Sequence, residues 1–103
     1  MITYFENAVV KVLRPVVERR GTQLVKKEYI TISENFRCHI QPKSERLDAT
    51  TIGRFPEATH LLVHKKKIEI KANDEIVWKT KRFLVLGVEE FPRHAEVVIK
   101  EIL

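Results

Sequence analysis

The chain has 103 residues, 44% of them hydrophobic and 32% charged, a length that fits one globular domain over residues 1–103 and excludes a multidomain enzyme. Its formal net charge of +5 favours nucleic acid or an acidic protein surface as a partner. The longest stretch without a charged residue, 58–64, is far shorter than the roughly 20 residues of a membrane-spanning helix, and residues 1–10 lack the basic start of a secretory signal. We therefore expect a soluble protein with no membrane partner.

The first apolar segment fits two periods. Its apolar residues between Phe5 and Val16 have helical spacing, with Gly21 placed to end a helix. Pro15 argues against this reading, because a proline so far inside a helix costs about 3 kcal/mol. The run from Val9 to Leu13 is rich in β-branched residues, so we predict a strand that ends at Pro15 and keep the helix as the alternative.

The next two runs alternate with a period of two, which is typical of half-buried strands. Residues 24–32 form one such run, with Ile30 and Ile32 expected to face inward. Phe36, Cys38 and Ile40 continue the alternation, and Pro42 ends it because proline lacks the amide that a strand ladder requires.

Further strands are predicted over residues 59–66, 67–71 and 95–103, and the alternation is cleanest in 67–71 (KIEIK). Two β-rich runs, 75–79 and 82–88, are close enough to form a hairpin. Neither intervening residue is Gly, Asn or Asp, so we expect a looser loop than a tight primed turn.

These strands recur about every ten residues without a helix long enough for a parallel crossover, which predicts an all-β fold. We expect a small antiparallel β-barrel, SH3-like or sandwich-like, with one long loop between its central strands. That loop, Lys43 to Ala58, is polar and aperiodic, and loops of this length in small domains tend to be functional. The predicted core consists of Phe36, Ile40, Ile68, Ile70, Trp78, Phe83 and Val85.

Catalytic and metal-binding patterns are weak. The single Cys38 forms no internal disulfide, and we expect it to be a small core residue. His60 and His64 would share one face of a strand, but no nearby carboxylate or thiol completes a metal site. No acid–base dyad, nucleophile motif or phosphate-binding glycine loop is present, so we predict a non-enzyme without cofactor or metal.

Basic clusters are the strongest electrostatic feature. Lysines on strand edges also prevent aggregation, so this role competes with binding. A barrel that binds nucleic acid should add exposed aromatic residues, and Tyr29 is the one candidate for base stacking. The candidate residues for facing DNA or a neighbouring subunit are Lys65, Lys66, Lys67, Lys79, Lys81 and Arg82.

Several segments together resemble a known family. They are Val-Leu-Arg-Pro-Val at 12–16, Cys-His-Ile-Gln-Pro-Lys-Ser at 38–44 with Glu-Arg-Leu after it, a strand from His60, and Phe-Leu-Val-Leu-Gly at 83–87. In this arrangement the chain resembles the tailed-phage head–tail joining proteins, also called head-closure or stopper proteins, from about Val9 to the last strand. The family often has a glycine in the late hairpin, where this chain has Lys79-Thr80-Lys81, which leaves the hairpin length open.

The resemblance implies a structural virion protein, made in the host cytoplasm, that forms a ring under the portal and its adaptor. Such a ring closes the DNA channel after packaging, contacts the packaged double-stranded DNA without reading its sequence, and docks the tail proteins. It implies a dodecamer in the neck of the virion, and we expect a monomer in isolation. The implied channel-gating loop consists of Lys43, Ser44, Glu45, Arg46, Leu47, Asp48, Ala49, Thr50, Thr51, Ile52, Gly53, Arg54, Phe55, Pro56, Glu57 and Ala58.

Two alternatives remain at this point. One is a small basic nucleic-acid-binding barrel, OB-like or SH3-like, for which the basic clusters would be the site. The other is a tail-completion subunit, which differs only in its position along the virion axis.

Overall fold

The computed structural model describes residues 6–42 and 55–102, with the backbone alone for 17–20 and 23–27. Six strands form a closed barrel in the order β1-β2-β3-β6-β5-β4, and every neighbouring pair is antiparallel. The prediction of a small antiparallel β-barrel is therefore confirmed, as is a strand in place of an N-terminal helix. The strands are β1 (Ala8–Arg20), β2 (Gln23–Pro42), β3 (His60–His64), β4 (Glu75–Trp78), β5 (Lys81–Glu90) and β6 (Ala95–Ile102).

The barrel interior holds the main core. Apolar residues at alternate positions of the strands point inward, as the period of two requires. Cys38 is fully buried among them, which confirms it as a core residue. Of the predicted core, Ile68 and Trp78 are only partly buried against this cluster, and the buried members are Phe36, Ile40, Ile70, Phe83 and Val85.

A second, smaller cluster lies on the outer face of β3, β5 and β6. It consists of Ala58, Leu61, Val63 and Val98, with Phe55 and Leu86 packed against it. β5 has a register irregularity between Val85 and Gly87, and the Phe55 ring lies directly on Gly87. A Cβ at Gly87 would be 2.5 Å from Cζ of Phe55, so the missing side chain makes room for the ring.

A two-stranded arm extends beyond the barrel. β1 pairs with β4 only through Leu13, whereas its pairing with β2 continues to the Gly21 turn, so residues 14–30 form a ribbon. About seven residues of β1 in this ribbon span about 20 Å, which fits a molecule 49 Å long and less than 30 Å across. We call residues 14–30 the arm.

The arm corrects two predictions. β1 does not end at Pro15 but continues to Arg20, because from residue 14 onward β1 has one neighbouring strand instead of two, and an edge position tolerates a missing amide. Ile30 was predicted to face inward, yet it is 46% exposed. Ile30 lies on the same face of β2 as the partly buried Ile32. It belongs to the arm, however, where no described strand of the barrel packs over that face.

Residues 67–71, the cleanest alternating run, form no strand. Two of their backbone groups bond to side chains instead of to a neighbouring strand: the Glu69 carbonyl accepts from Arg14, and the Lys71 amide donates to the Asp74 carboxylate. Left-handed backbone at Lys66 and Asn73 turns the chain on either side. Ile68 and Ile70 nevertheless pack on the core, so the pattern identified their burial correctly and the secondary structure wrongly.

The predicted β4–β5 hairpin is present, but the expectation of a looser loop is wrong. Trp78 pairs with Lys81, which leaves only Lys79 and Thr80 in the turn. Lys79 takes a positive φ of 58°, the left-handed conformation that we expected Gly, Asn or Asp to supply. Its ammonium lies 5.3 Å from the Trp78 ring centroid, a cation–π contact at the turn.

The two ends of the barrel differ in what they carry. At the loop rim, β2 ends and β3 begins, and the β4–β5 turn lies at the same end. At the arm rim, the arm leaves the barrel beside the β3–β4 connection (residues 65–74) and the β5–β6 turn (residues 91–94). The candidate functional residues divide between these two rims.

Candidate functional site

The implied gating loop lies only in part within the described residues. Residues 43–54 fall outside them, whereas Phe55–Ala58 form a turn in which the Ala58 amide donates to the Phe55 carbonyl over 3.0 Å. Ala58 is buried and Phe55 half-buried in the outer cluster. The last part of the loop is therefore an anchor on the outer wall of the barrel.

The two ends of the loop are held next to each other. Pro42 and His60 are paired neighbours of β2 and β3, although residues 43–59 lie between them. The Asn7 side chain both donates to the carbonyl of Ile40 and accepts from its amide, over 3.0 and 2.9 Å. These bonds fix the strand from which the loop departs.

Thr59 holds the other end. Its amide donates to the Ile99 carbonyl over 3.0 Å, and its hydroxyl accepts from the Glu101 amide over 2.7 Å. The loop thus starts and finishes at two hydrogen-bonded points on one rim of the barrel. The sequence showed the length of the loop but not these clamps.

The two basic groups predicted from sequence lie at opposite rims. Lys65, Lys66 and Lys67 follow β3 at the arm rim, whereas Lys79, Lys81 and Arg82 surround the β4–β5 turn at the loop rim. They do not form one surface.

The basic groups at the loop rim have partners. The Arg82 Nε lies 2.5 Å from Glu75 Oε1, and Lys81 Nζ is 3.8 Å from Glu101 Oε1. Lys79 lies over Trp78. These cations are occupied in local contacts.

Tyr29, the candidate stacking residue, is also engaged. Its hydroxyl donates to the buried carboxylate of Glu75, and the Arg82 guanidinium lies 5.4 Å from its ring centroid. Tyr29 and Arg82 together cover Glu75 across β1. One face of the Tyr29 ring is therefore already covered by Arg82.

His60 and His64 lie in β3, and both rings contact aromatic residues of the core. His60 meets Phe83 edge-on at 5.0 Å between centroids, and His64 meets Phe36 at 5.2 Å. The His64 Nδ1 accepts from the Lys66 amide, while its Nε2 is buried without a hydrogen-bond partner. Burial, with smaller contributions from His94 and Lys66, lowers the pKa of His64 to about 4. Within the described residues, no group of three or more His, Cys, Asp or Glu is arranged to hold a metal.

An ion pair between a partly exposed arginine and a buried carboxylate at the base of the arm was not predicted. Arg14 binds Asp74 through two bonds, Nε to Oδ1 at 3.0 Å and Nη2 to Oδ2 at 2.9 Å, and its Nη2 also donates to the Glu69 carbonyl. Asp74 is 1% exposed, and its hydrogen bond raises the pKa of Arg14. The two residues are distant in sequence, so no local pattern could reveal the pair.

No family model matches the chain, and no curated protein matches it. In residues 6–42 and 55–102 we find no helix with the length and apolar character needed to span a membrane.

Proposed function

We propose that this protein is a structural subunit of the tailed-phage head–tail connector. In this role it forms a ring, a dodecamer by the resemblance, beneath the portal and adaptor in the neck of the virion. The ring closes the DNA channel after packaging and docks the tail. Lys43–Ala58 is the proposed gate, with Phe55–Ala58 as its anchor on the barrel.

One observation carries this proposal. β2 and β3 are antiparallel neighbours, and a turn of two to five residues would suffice to connect them. The chain instead inserts residues 43–59 between the paired Pro42 and His60, and clamps both sides through Asn7 and Thr59. A long segment that the fold does not need, fixed at both ends on a rigid rim, is a suitable design for a projecting functional loop.

Three of the segments that carry the resemblance lie around this loop, whereas 12–16 lies at the base of the arm. Residues 38–42 form the end of β2 at the loop rim, and β3 begins at His60. Residues 83–87 belong to β5 and end at Gly87, on which the loop anchor Phe55 packs. The agreement supports the proposal because these segments are far apart in sequence but close together in the barrel.

The test separates folding from gating. Residues 46–54 are replaced by a short Gly-Ser link that keeps Phe55, and the control carries a Gly-Ser segment of the original length. Because loop-closure entropy changes slowly with length, we expect the free energy of unfolding to change by about 1 kcal/mol or less.

In the phage genome that encodes the chain, the shortened variant should still join the connector but fail to retain packaged DNA. Electron microscopy would show emptied heads, and nuclease-protected DNA would fall. Unchanged DNA retention and infectivity would refute the gate, and absence of the protein from purified virions would refute the connector role.

A further inference from the structure

The arm rim brings together three elements that are separate in sequence. The arm is tied to the β3–β4 connection by the bonds from Arg14 to Asp74 and to the Glu69 carbonyl. The β3–β4 connection is tied to the β5–β6 turn, because the Lys66 ammonium donates to the Phe91 carbonyl over 3.0 Å. Residues 14–30, 65–74 and 91–94 therefore form one end of the molecule.

The positive charge of the protein is concentrated at this end. These three segments contain ten Lys and Arg against four Asp and Glu, whereas the rest of the chain contains nine against ten. The arm rim thus carries all of the net positive charge of the chain, and the other residues together are close to neutral.

Three cations at the arm rim are available for a ligand, whereas Arg14 pairs with Asp74 and Lys71 with Glu69. Lys65, Lys67 and Arg93 are exposed, and within the described part of the chain no carboxylate forms a salt bridge with them. Of the four acidic residues here, Asp74 is already neutralised by Arg14. The cations beside the β4–β5 turn differ, since Lys81 pairs with Glu101 and Arg82 with Glu75.

We propose that the arm rim binds the phosphate backbone of duplex DNA, mainly through Lys65, Lys67 and Arg93, with the arm alongside. Lysine and arginine side chains that are not paired with carboxylates can displace the counterions bound at DNA phosphates, and the release of these counterions favours binding. This contact requires no particular base sequence.

A duplex fits this surface better than a single strand. Binding of single strands relies on aromatic side chains that stack on bases. The described aromatic rings nearest this rim are occupied, because Phe91 stacks on His94 at 4.7 Å and Tyr29 lies under Arg82. The choice of DNA over RNA rests on the proposed connector function, whereas the charge asymmetry does not depend on it.

The test compares two variants with the same loss of charge. The arm-rim variant carries Lys65→Gln, Lys67→Gln and Arg93→Gln, and the loop-rim control carries Lys79→Gln, Lys81→Gln and Lys100→Gln. Binding to a fluorescent DNA duplex is measured by anisotropy from about 20 to 200 mM salt, together with a duplex RNA and a single strand. A third variant with Lys65→Arg, Lys67→Arg and Arg93→Lys keeps the charge.

We expect the arm-rim variant to lose about tenfold or more in affinity at about 50 mM salt, with a salt slope smaller by about 2 to 3. The control and the charge-keeping variant should bind like the wild type. Three outcomes would each overturn the inference. They are an equal loss of affinity in both neutralised variants, no DNA binding by the wild type at the lowest salt, and stronger binding to the single strand than to the duplex. Because the substituted side chains are exposed, thermal melts should match, and single substitutions replace the triple variant if they do not.

The outcome is independent of the gating experiment. Wild-type binding at micromolar or better in physiological salt, lost in the arm-rim variant, would support this surface while favouring a dedicated DNA-binding barrel over a connector subunit. Weak wild-type binding with the same dependence on the arm rim would support both proposals.

Discussion

The Phe55 ring packs directly on the backbone of Gly87, and a single substitution can test this contact. Gly87→Ala places a methyl group 2.5 Å from the tip of the Phe55 ring, so the ring must shift from its position on the outer cluster. We expect destabilisation of about 1 to 2 kcal/mol by thermal or urea unfolding, similar to Phe55→Ala. In a double-mutant cycle, Gly87→Ala should cost little once Phe55 is already Ala. Additive losses would show that Gly87 serves the backbone of β5 and not the ring.

His64 makes stability depend on pH. Its pKa is lowered from 6.5 to about 4 in the folded protein, so between these values the unfolded chain binds a proton that the folded protein excludes. This residue should therefore remove up to about 3 kcal/mol of stability as the pH falls from 6.5 to 4, and nothing further below that.

The measurement is urea unfolding at several pH values for wild type and His64→Gln. The variant should show a flatter profile in this window. An unchanged slope in His64→Gln would mean that His64 is protonated without cost in the folded protein.

Trp78 and Phe83 looked alike in the sequence but differ in burial. Phe83 is fully buried, whereas Trp78 is half-buried beside the β4–β5 turn. We expect Phe83→Ala to cost about 3 to 5 kcal/mol and Trp78→Ala distinctly less, about 1 to 3 kcal/mol. Chemical unfolding of the two variants provides the comparison, and a larger loss for Trp78→Ala would contradict the burial described here.

At the scale of elements, the arm should be separable from the barrel. A variant that replaces residues 17–27 with an Asn-Gly turn keeps the pairing of β1 with β2 up to Val16, which pairs with Glu28, and leaves the Arg14–Asp74 pair intact. We expect stability to change by about 1 kcal/mol or less, because a two-stranded ribbon contributes little on its own in water. Hydrogen exchange should be fast in the wild-type arm and slow in the barrel. Loss of folding would show that the arm supports the barrel.

How far the sequence predicts each element depends on whether its structure is local. The alternation at Phe36, Cys38 and Ile40 identified a strand and its buried face, because both follow from a period of two. Residues 67–71 show the same alternation without a strand, since a closed barrel offers no edge with which they could pair. The end of β1 at Pro15 was predicted wrongly, because a strand accepts a proline where its amide faces no neighbouring strand. That condition depends on how far β4 extends along β1.

The sequence likewise predicted only those features of the candidate site that are local. The unusual length of the loop after Pro42 was visible in the sequence, and so were the basic clusters. Their separation to opposite rims, and the engagement of Arg82 but not of Lys65 in an ion pair, depend on strand order and register. No periodicity contains that information.

For the whole molecule, the connector proposal predicts a monomer in solution. A stopper that assembled without its template would compete with ordered addition to a filled head. Light scattering at micromolar concentration should therefore show mainly the 12.1 kDa species. Mixing with a portal–adaptor complex should convert it to a ring, and a stable ring in the protein alone would contradict assembly on a template.

The seam where β1 meets β4 has a consequence for folding kinetics. Only Lys11, Val12 and Leu13 pair with β4, and their partners Val77, Ile76 and Glu75 lie more than 60 positions later in the chain. Contacts between such distant residues form only after a large loop closes, so this barrel should belong to the slow class of folders, in milliseconds to seconds. If the seam forms last, then weakening the Arg14–Asp74 pair beside it should speed unfolding more than it slows folding. The kinetic lifetime of the barrel would then be set by the few residues that close it.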